Sequence, residues 1–432
     1  MKKFLAILVA LLFIGFNQTI EAETEQVPLQ PLIDETKPGD TLYLPPGEYI
    51  GGAVINKPIH IIGDDQVTIL PGKKGPVIQV KANQVIIENI SIIDQRNTND
   101  ETVYITGDDN ELKKLNIKTN GVGIQLFEAN DNKLYQLKIT GNKNLSLAQR
   151  GNGIDLWDSD HNTIHSSQIT DVQDGVYLEK SSQNDIYNNI VTHSRYGYHL
   201  MFTNKTTLTE NESYYNVSGM MVMGTNGTVV KHNELKHNLK SVQSLGLLLF
   251  DVKNAQVAHN KISHNKVGLF IENAHKNDIT LNELEQNFVG VQFLKSTENS
   301  VTKNAFLANV VQGQAERSSD NDTESNFWGD HIGVDVNGDG YSQLSYQVDP
   351  FYLSLTKEYP PFQIYFQAPG MQFLEQLFHA PTDQWLSDQS PLMDNPIKSE
   401  TEAKTSSIYV LCFSIILFIA STTIIYMGAR KK

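Results

Sequence analysis

A repeat between residues 153 and 309 limits the folds that this chain can adopt. Seven segments begin with glycine and then alternate apolar residues with residues of other kinds. The leading glycines are Gly153, Gly175, Gly197, Gly219, Gly246, Gly268 and Gly290. Every interval is 22 residues except the fourth, which is 27 and carries a five-residue excess around Leu239 to Leu245. A fixed period of this length is typical of a solenoid, and the excess predicts an inserted loop.

Apolar residues recur at every second position after each glycine, which is the period of a strand and not of a helix. The first predicted inward column is Ile154, Val176, Tyr198, Met220, Leu247, Leu269 and Val291, and the second is Leu156, Leu178, Leu200, Val222, Leu249, Ile271 and Phe293. The spacing of three and four that a helical solenoid requires is absent. We therefore expect an all-β fold, a right-handed and three-sided parallel β-helix.

Two further columns consist of asparagine. The first is Asn189, Asn211, Asn233, Asn260, Asn282 and Asn304, and the second is Asn216, Asn238, Asn265, Asn287 and Asn309. Asparagine tolerates left-handed turn conformations, and stacked copies hydrogen-bond to one another at the spacing of neighbouring strands. These columns predict two of the corners at which stacked coils turn.

The two ends of the chain predict a secreted and anchored protein. Residues 1–22 combine Lys2 and Lys3 with an apolar run and a small residue, as a secretory signal peptide does. Residues 408–427 carry no charge over a length that can span a bilayer, and the basic tail 428–432 follows. The positive-inside rule places that tail in the cytoplasm and the preceding chain on the extracytoplasmic face, joined by a linker at 398–407.

Between these ends we expect a β-helix over residues 23–330 and a C-terminal extension over residues 331–397. The first part of the β-helix is expected to form an N-terminal cap. The interval between Gly123 and Gly153 is 30 residues, which predicts a projecting loop. In the extension, Met371, Phe373, Leu374, Leu377 and Phe378 have helical spacing. They predict a short amphipathic helix that either caps the solenoid or docks a partner.

The segment DVNGDG places Asp335, Asn337 and Asp339 at alternate positions, as the opening of an EF-hand-type calcium loop does. Position twelve is Tyr346 and not the closing glutamate. The segment therefore predicts either a calcium site or a turn rich in Asp and Asn.

Charge and cysteine content exclude several classes of function. The net charge is −15, whereas a nucleic-acid surface needs a basic stripe to meet phosphates. The single cysteine, Cys412, excludes an intrachain disulfide and any zinc or iron–sulfur site built from cysteines.

Because parallel β-helices often act on polysaccharides, we consider a carbohydrate site. Such chemistry needs paired carboxylates, or a carboxylate with a base, on one outer face. The candidates are Asp155, Asp158, Asp160, Asp174 and Glu179, with Trp157 as a surface on which a sugar could stack. No second acidic pair recurs on a neighbouring strand, and aspartates near turns usually serve as caps. A carbohydrate-binding or polysaccharide-active protein, whether lyase, epimerase or hydrolase, therefore remains the alternative.

The outward positions of two consecutive strands predict either an apolar contact surface or a copper site. If inward and outward residues alternate, His199, Met201, Met221 and Met223 mark the corners of one small exposed patch. Thioethers with an imidazole are ligands for Cu(I), and their neutrality disfavours hard cations such as Ca²⁺. The alternative is a soft apolar contact surface, because methionine is favoured at adaptable interfaces.

The order of several motifs resembles the NosD family. They are GVYL at 175, GYHLMFTN at 197, GMMVMGTN at 219, GLLL at 246, NFWGD at 326, DVNGDG at 335 and APGMQFLEQL at 368. The resemblance implies a right-handed β-helix of the pectate-lyase-like class outside the cytoplasm. It also implies a role in maturation of nitrous oxide reductase, in building its copper–sulfur centre, with the NosF–NosY ABC transporter and the copper chaperone NosL as partners. It does not imply an enzyme. This chain departs from the often soluble family by its expected C-terminal anchor.

Overall fold

The computed structural model describes residues 26–96, 100–365, 370, 373–374, 377–397, 413–415, 417–419 and 421. In that part of the chain, three long parallel sheets of 12, 12 and 14 strands run along a solenoid, and one short antiparallel pair follows it. Each complete coil contributes one strand to each sheet, and one sheet has two strands more than the others. The prediction of an all-β, three-sided parallel solenoid is confirmed.

Sheet I contains the strands that contain or follow the repeating glycines. They are β4 (Ala53–Ile55), β7 (Ile78–Val80), β10 (Glu101–Ile105), β13 (Val122–Phe127), β16 (Ile154–Trp157), β19 (Asp174–Glu179), β22 (Tyr196–Met201), β25 (Ser218–Met223), β28 (Leu245–Phe250), β31 (Val267–Glu272), β34 (Val289–Leu294) and β37 (Val311–Glu316).

Sheet II comes next along each coil and consists of strands of three residues. They are β2 (Thr41–Tyr43), β5 (His60–Ile62), β8 (Ile86–Glu88), β11 (Glu111–Lys113), β14 (Lys133–Tyr135), β17 (Thr163–His165), β20 (Asp185–Tyr187), β23 (Thr207–Thr209), β26 (Val229–Lys231), β29 (Gln256–Ala258), β32 (Asp278–Thr280) and β35 (Ser300–Thr302).

Sheet III closes each coil. Its strands are β1 (Val27–Pro28), β3 (Gly47–Ile50), β6 (Val67–Leu70), β9 (Ser91–Asp94), β12 (Asn116–Thr119), β15 (Lys138–Thr140), β18 (Gln168–Thr170), β21 (Ile190–Thr192), β24 (Glu212–Tyr214), β27 (Glu234–Lys236), β30 (Lys261–Ser263), β33 (Glu283–Glu285), β36 (Ala305–Leu307) and β38 (Phe327–Trp328).

The core fills the inside of the solenoid, and both predicted inward columns of sheet I lie in it. Every residue of these columns is at most 1% exposed. The repeating glycines are required where the backbone of one coil passes close to the next. A β-carbon at Gly197 would lie 2.5 Å from the carbonyl oxygen of Gly219, which is closer than real contacts allow. The predicted register of the repeat is therefore confirmed.

Both predicted asparagine columns are buried ladders at the corners. Asn189 Nδ2, for example, donates to Asn211 Oδ1 of the next coil at 3.1 Å and to the carbonyl oxygen of Ile164 at 2.9 Å. We expected asparagine at the corners partly because it tolerates a left-handed backbone, and this was wrong. The left-handed residue is the one before each ladder asparagine, such as Asn188 at φ 54°. The ladders depend on amide pairing and not on backbone tolerance.

A third asparagine column, which we did not predict, occupies the corner between sheets I and II. It contains Asn110, Asn132, Asn162, Asn184, Asn277, Asn299 and Asn321. Thr206, Thr228 and Ala255 interrupt it in the middle coils, which hid the period in the sequence. Asparagine ladders are therefore present at all three corners of the solenoid.

Helix α1 (Leu29–Glu35) covers the N-terminal end of the core, where Leu29 and Ile33 are fully buried. At the other end the pair β39 (Tyr346–Val348) and β40 (Leu386–Asp388) and helix α2 (Phe351–Glu358) pack against the last coils. Short 3₁₀ helices span Leu147–Gln149, Pro360–Tyr365 and Thr382–Gln384. The C-terminal cap is thus built from elements on both sides of the predicted amphipathic segment.

In the predicted amphipathic segment, residues 370, 373–374 and 377 are helical, whereas Phe378 lies just beyond the last of them. Leu374 packs against the core, whereas Phe373 and Leu377 are 61% and 57% exposed. The described part of this helix therefore has both a packed side and a free apolar side.

The predicted signal peptide at 1–22 and linker at 398–407 lie outside the described residues, as does most of the predicted anchor at 408–427. Residues 413–415, 417–419 and 421 of the anchor are described and helical. No helix in the described part of the chain is long and apolar enough to cross a membrane.

Candidate metal site on sheet I

Strands β22 and β25 place the four predicted copper ligands in two facing pairs. His199 is paired with Met221 and Met201 with Met223 in the register of the sheet. Neighbouring strands lie about 4.8 Å apart, and residues two apart on one strand are separated by roughly 6.6 Å. The register on which this site depends is therefore present, with all four residues on the outer face.

The expectation that all four side chains are exposed together was wrong. His199 is 7% and Met221 is 8% exposed, whereas Met201 and Met223 are partly exposed. Large neighbours on the same flat face cover the first two, with Tyr177 and Tyr196 against the imidazole. The four residues form a half-buried patch whose partly exposed members are Met201 and Met223.

The imidazole of His199 is held in one orientation. A hydrogen bond of 2.8 Å joins His199 Nδ1 to Asp174 Oδ2, one coil earlier. The rings of Tyr177 and Tyr196 lie 4.9 and 5.1 Å from the imidazole centre. No side chain or backbone group in the described part of the chain hydrogen-bonds to His199 Nε2, so this nitrogen can act as a ligand.

Asp174 carries a charge in spite of complete burial. Arg195 Nε donates to Asp174 Oδ1 at 2.8 Å, and Arg195 Nη2 donates to Asp174 Oδ2 at 2.7 Å. Burial alone would raise the pKa of Asp174, but the bonds from Arg195 and His199 outweigh it and hold that pKa below its ordinary value. Sequence reasoning named Asp174 only as a possible sugar-site carboxylate and missed Arg195. Asp174 and Tyr196 are 22 residues apart, which is the repeat period. This spacing could have predicted that Asp174 lies at the start of strand β19, paired with Tyr196 at the start of β22.

Tyr177 lies between the carboxylate of Glu179 and the thioether of Met201 and contacts both. Its hydroxyl donates to Glu179 Oε2 at 2.6 Å and lies 3.5 Å from Met201 Sδ. Burial, followed by the hydrogen bond to Glu179, raises the pKa of Tyr177 far above its ordinary value. The phenol thus stays protonated at neutral pH and lies against the thioether.

The candidates for carbohydrate chemistry separate into two groups. Asp158 and Asp160 lie at the corner between sheets I and II, where Asp160 Oδ1 accepts a hydrogen bond from Ser182 N at 2.6 Å. Asp155 and Asp174 lie on the outer face, but both are more than nine-tenths buried. Burial raises the pKa of Asp155 to about 7, and its Oδ1 is buried without a hydrogen-bond partner. These two carboxyl groups are not presented to a polymer at the surface.

An apolar surface continues from the methionines along sheet I. Met221, Leu245 and Leu248 form a buried cluster apart from the main core, and Tyr196, Met223, Phe250, Val267 and Phe270 pack around it. The inserted loop before β28 carries Leu239 and Val242, which are 48% and 89% exposed. The predicted contact surface and the predicted copper ligands therefore occupy one continuous face.

The DVNGDG segment folds into a closed turn. Asp335 accepts hydrogen bonds from the backbone N–H groups of Gly338 and Gly340 at 2.7 and 3.0 Å. Asn337 Nδ2 donates to Asp339 Oδ2 at 2.8 Å. These bonds match the turn expected as the alternative to calcium, and calcium at Asp335, Asn337 and Asp339 stays a prediction. Within the described residues no group of three or more His, Cys, Asp or Glu side chains is arranged to hold a metal.

Solved structures similar to this chain are polysaccharide enzymes at low identity. The A-module of mannuronan C-5 epimerase AlgE6 from Azotobacter vinelandii is 16% identical, with a TM-score of 0.46 over 67% of this chain and 84% of that chain. The family 28 exopolygalacturonase of Yersinia enterocolitica is 10% identical, with a TM-score of 0.46 over 68% and 75%. An exopolygalacturonase from Thermotoga maritima is 12% identical, with a TM-score of 0.42 over 66% and 84%. At these values nothing about activity follows.

No curated protein matches the chain. The model of one family, described as "Periplasmic copper-binding protein (NosD)", matches residues 136–342. This range contains strands β22 and β25 and the DVNGDG turn, and the family's description agrees with the expected extracytoplasmic location. Over residues 136–342 the resemblance to the NosD family is confirmed.

Proposed function

We propose that this protein is an extracytoplasmic accessory factor in the maturation of nitrous oxide reductase and that it carries Cu(I) as cargo on sheet I. The proposed ligands are His199, Met201, Met221 and Met223. The observation that carries the proposal is the register of β22 and β25, which places an imidazole and three thioethers on four adjacent positions of one outer face.

The chemistry of this donor set suits Cu(I). Thioether sulfur is a soft, neutral donor and imidazole is an intermediate one, a combination that favours Cu(I) over Mg²⁺ and Ca²⁺. His199 has its Nδ1 occupied and its Nε2 available. The partial cover over His199 and Met221 limits water at the ion, while Met201 and Met223 leave a side open for exchange.

The proposed partners follow from the family and from the surface. We propose that the copper chaperone NosL delivers the ion, that the NosF–NosY ABC transporter binds this protein at the membrane, and that the reductase receives the product. The apolar face around Leu248 and Phe250 adjoins the methionines. A donor protein that passes copper by ligand exchange must lie within a few ångströms of them, and this face is suited to that contact.

The direct test is a competition titration of the full-length protein with Cu(I) against a chelator of known affinity. Changing Met201, Met221 and Met223 together to leucine keeps the apolar volume and removes the sulfur, at a cost of less than about 1.5 kcal/mol per exchange. We expect Cu(I) affinity to fall at least tenfold. Equal affinity in the triple variant would exclude this site.

A matched control lies on the same strand. Met220 is next to Met221 but faces the core and is fully buried. Met220→Leu should leave Cu(I) affinity unchanged, because no sulfur is lost from the outer face. Loss of reductase maturation in the triple variant with normal copper binding would instead favour the contact surface. A gene neighbourhood with an ABC transporter and a copper reductase would agree with this proposal, whereas sugar transporters would favour the polysaccharide alternative.

A further inference from the structure

The proposed copper ligand His199 belongs to a fixed chain of three polar groups. Arg195 binds both oxygens of Asp174, and Asp174 Oδ2 lies 2.8 Å from His199 Nδ1. The guanidinium of Arg195 also lies over the ring of Tyr196, 4.6 Å from its centre. Asp174 is fully buried, so its position is determined by packing as well as by these bonds.

The direction of the hydrogen bond between Asp174 and His199 follows from charge. A charged carboxylate can only accept hydrogen bonds, and both oxygens of Asp174 have donors. His199 Nδ1 must therefore carry the proton. In a neutral imidazole one nitrogen donates and the other accepts, so the lone pair lies on Nε2.

The register places Met221 on the coil opposite to that of Asp174. Asp174 begins strand β19, whereas Met221 lies one coil beyond His199, on β25. The coils on either side of His199 thus carry its carboxylate partner, Asp174, and a thioether, Met221. Ligating histidines are commonly fixed by a carboxylate at the other ring nitrogen, and loss of such a partner typically costs 10–100-fold in metal affinity.

We infer that Asp174 is a positioning residue for the proposed copper site: it keeps the His199 proton on Nδ1, so that Nε2 is the nitrogen that binds Cu(I), and Arg195 holds the carboxylate in place. This inference rests on the proposed function. It assigns to Asp174 a role towards the cargo that an ordinary structural ion pair would not have.

The first measurement identifies the tautomer in the wild-type protein. Full-length protein labelled with ¹⁵N-histidine, in a long-range ¹H–¹⁵N correlation spectrum, should show His199 with its proton on Nδ1. The signal is assigned by its loss in His199→Asn. Addition of Cu(I) should shift Nε2 and leave Nδ1 protonated. A proton on Nε2 in the metal-free protein, or binding through Nδ1, would overturn the inference.

The second measurement uses Asp174→Asn. An asparagine amide can donate to Nδ1, which moves the imidazole proton to Nε2 and blocks the ligating nitrogen. We expect the ¹⁵N spectrum to show this change and Cu(I) affinity to fall 10–100-fold. Unchanged affinity together with the changed tautomer would show that Asp174 does not act through His199. If this variant does not fold, the wild-type spectrum with Cu(I) decides the question.

A matched control exists in the C-terminal extension. Asp349 Oδ2 lies 2.7 Å from His379 Nδ1, the same kind of pair outside the proposed site. Asp349→Asn should change the His379 signal and leave Cu(I) affinity as in the wild type. If the wild-type protein binds no Cu(I), the proposed function fails and the inference fails with it. If the wild type binds Cu(I) and Asp174→Asn binds it equally well, only the inference fails.

Discussion

The indole Nε1 of Trp328 donates a hydrogen bond of 2.9 Å to Asp388 Oδ2, and this bond ties the last strand of sheet III to the C-terminal cap. Trp328 also stacks between Phe306 of the preceding coil and Tyr346 of β39, at 4.3 and 4.7 Å. The open end of the core is thus closed by one aromatic stack with a buried carboxyl group beside it.

Removal of this carboxyl group should loosen the cap. Its donors are Trp328 Nε1, Asn326 N, Ser325 N and Ser390 N. Asp388→Ala leaves them without an acceptor in a buried place, at about 1–3 kcal/mol for each that finds no water. We expect urea unfolding to show a loss of about 3 kcal/mol or more. The exposed Asp65, changed to alanine, should alter stability by less than about 0.5 kcal/mol. Equal effects of the two changes would contradict the role of Asp388.

The asparagine ladders predict that the loss of stability on substitution by alanine depends strongly on which corner residue is replaced. Asn233 donates to the carbonyl oxygen of Leu208 and to Asn260 Oδ1, and its Oδ1 accepts two bonds from Asn211. Asn233→Ala should destabilise the protein by about 3 kcal/mol or more, because buried partners are left unpaired. The side chain of Thr228, which interrupts another ladder, makes one hydrogen bond, to the hydroxyl of Thr225. Its change to alanine should cost about 1 kcal/mol, and a similar cost for both would argue against amide pairing as the stabilising interaction.

Asp155 predicts a stability that falls between mildly acidic and mildly alkaline pH. Burial raises its pKa from 3.8 to about 7 in the folded protein. The folded state therefore holds a proton that the unfolded chain releases near pH 4. The associated stability is complete below pH 4 and is lost as pH rises through about 7. A shift of this size corresponds to roughly 4 kcal/mol.

The test for Asp155 compares two pH values. Asp155→Asn retains an acceptor for Asn152 Nδ2, which lies 3.0 Å from Asp155 Oδ2, and removes the ionisation. We expect the variant to be more stable than the wild type at pH 8 and to lose most of that advantage at pH 5, as measured by urea unfolding. The same difference at both pH values would mean that Asp155 does not titrate in this range.

Copper binding should stabilise the folded protein. A ligand that binds only the folded state adds about 2.7 kcal/mol at a free concentration 100 times its dissociation constant. Differential scanning calorimetry should show a higher transition temperature for the wild type and for Met220→Leu when Cu(I) is present. The variant with Met201, Met221 and Met223 changed to leucine should show little shift. A full shift in that variant would place copper elsewhere.

The helical residues Phe373, Leu374 and Leu377 predict different results for substitutions on the exposed side and on the packed side. Phe373 and Leu377 are exposed, whereas Leu374 packs against the core. Phe373→Ser with Leu377→Ser should leave unfolding within about 0.5 kcal/mol of the wild type and weaken co-purification with the proposed transporter partner. Leu374→Ser should lower stability instead. If the double variant unfolds, the helix serves only as a cap.

The period of 22 residues determined the fold of this protein. Strand pairing between coils needs only that each inward residue, such as Leu200, meets its counterpart 22 positions later, so local pattern and tertiary position coincide. The same period by itself places His199 beside Met221 and Met201 beside Met223. The third asparagine ladder could not be predicted in this way, because Thr206, Thr228 and Ala255 interrupt it and a repeat with gaps shows no regular period.

Only the tertiary structure decided what surrounds those four residues. Burial of His199 depends on the rings of Tyr177 and Tyr196, and its orientation depends on Asp174 and Arg195. Alternation along a strand predicts which face of the sheet a side chain occupies. It does not predict how far neighbouring side chains bury it or which oxygen accepts a hydrogen bond from its nitrogen. Those quantities depend on side-chain packing across three coils, and a period along the chain contains no information about rotamers.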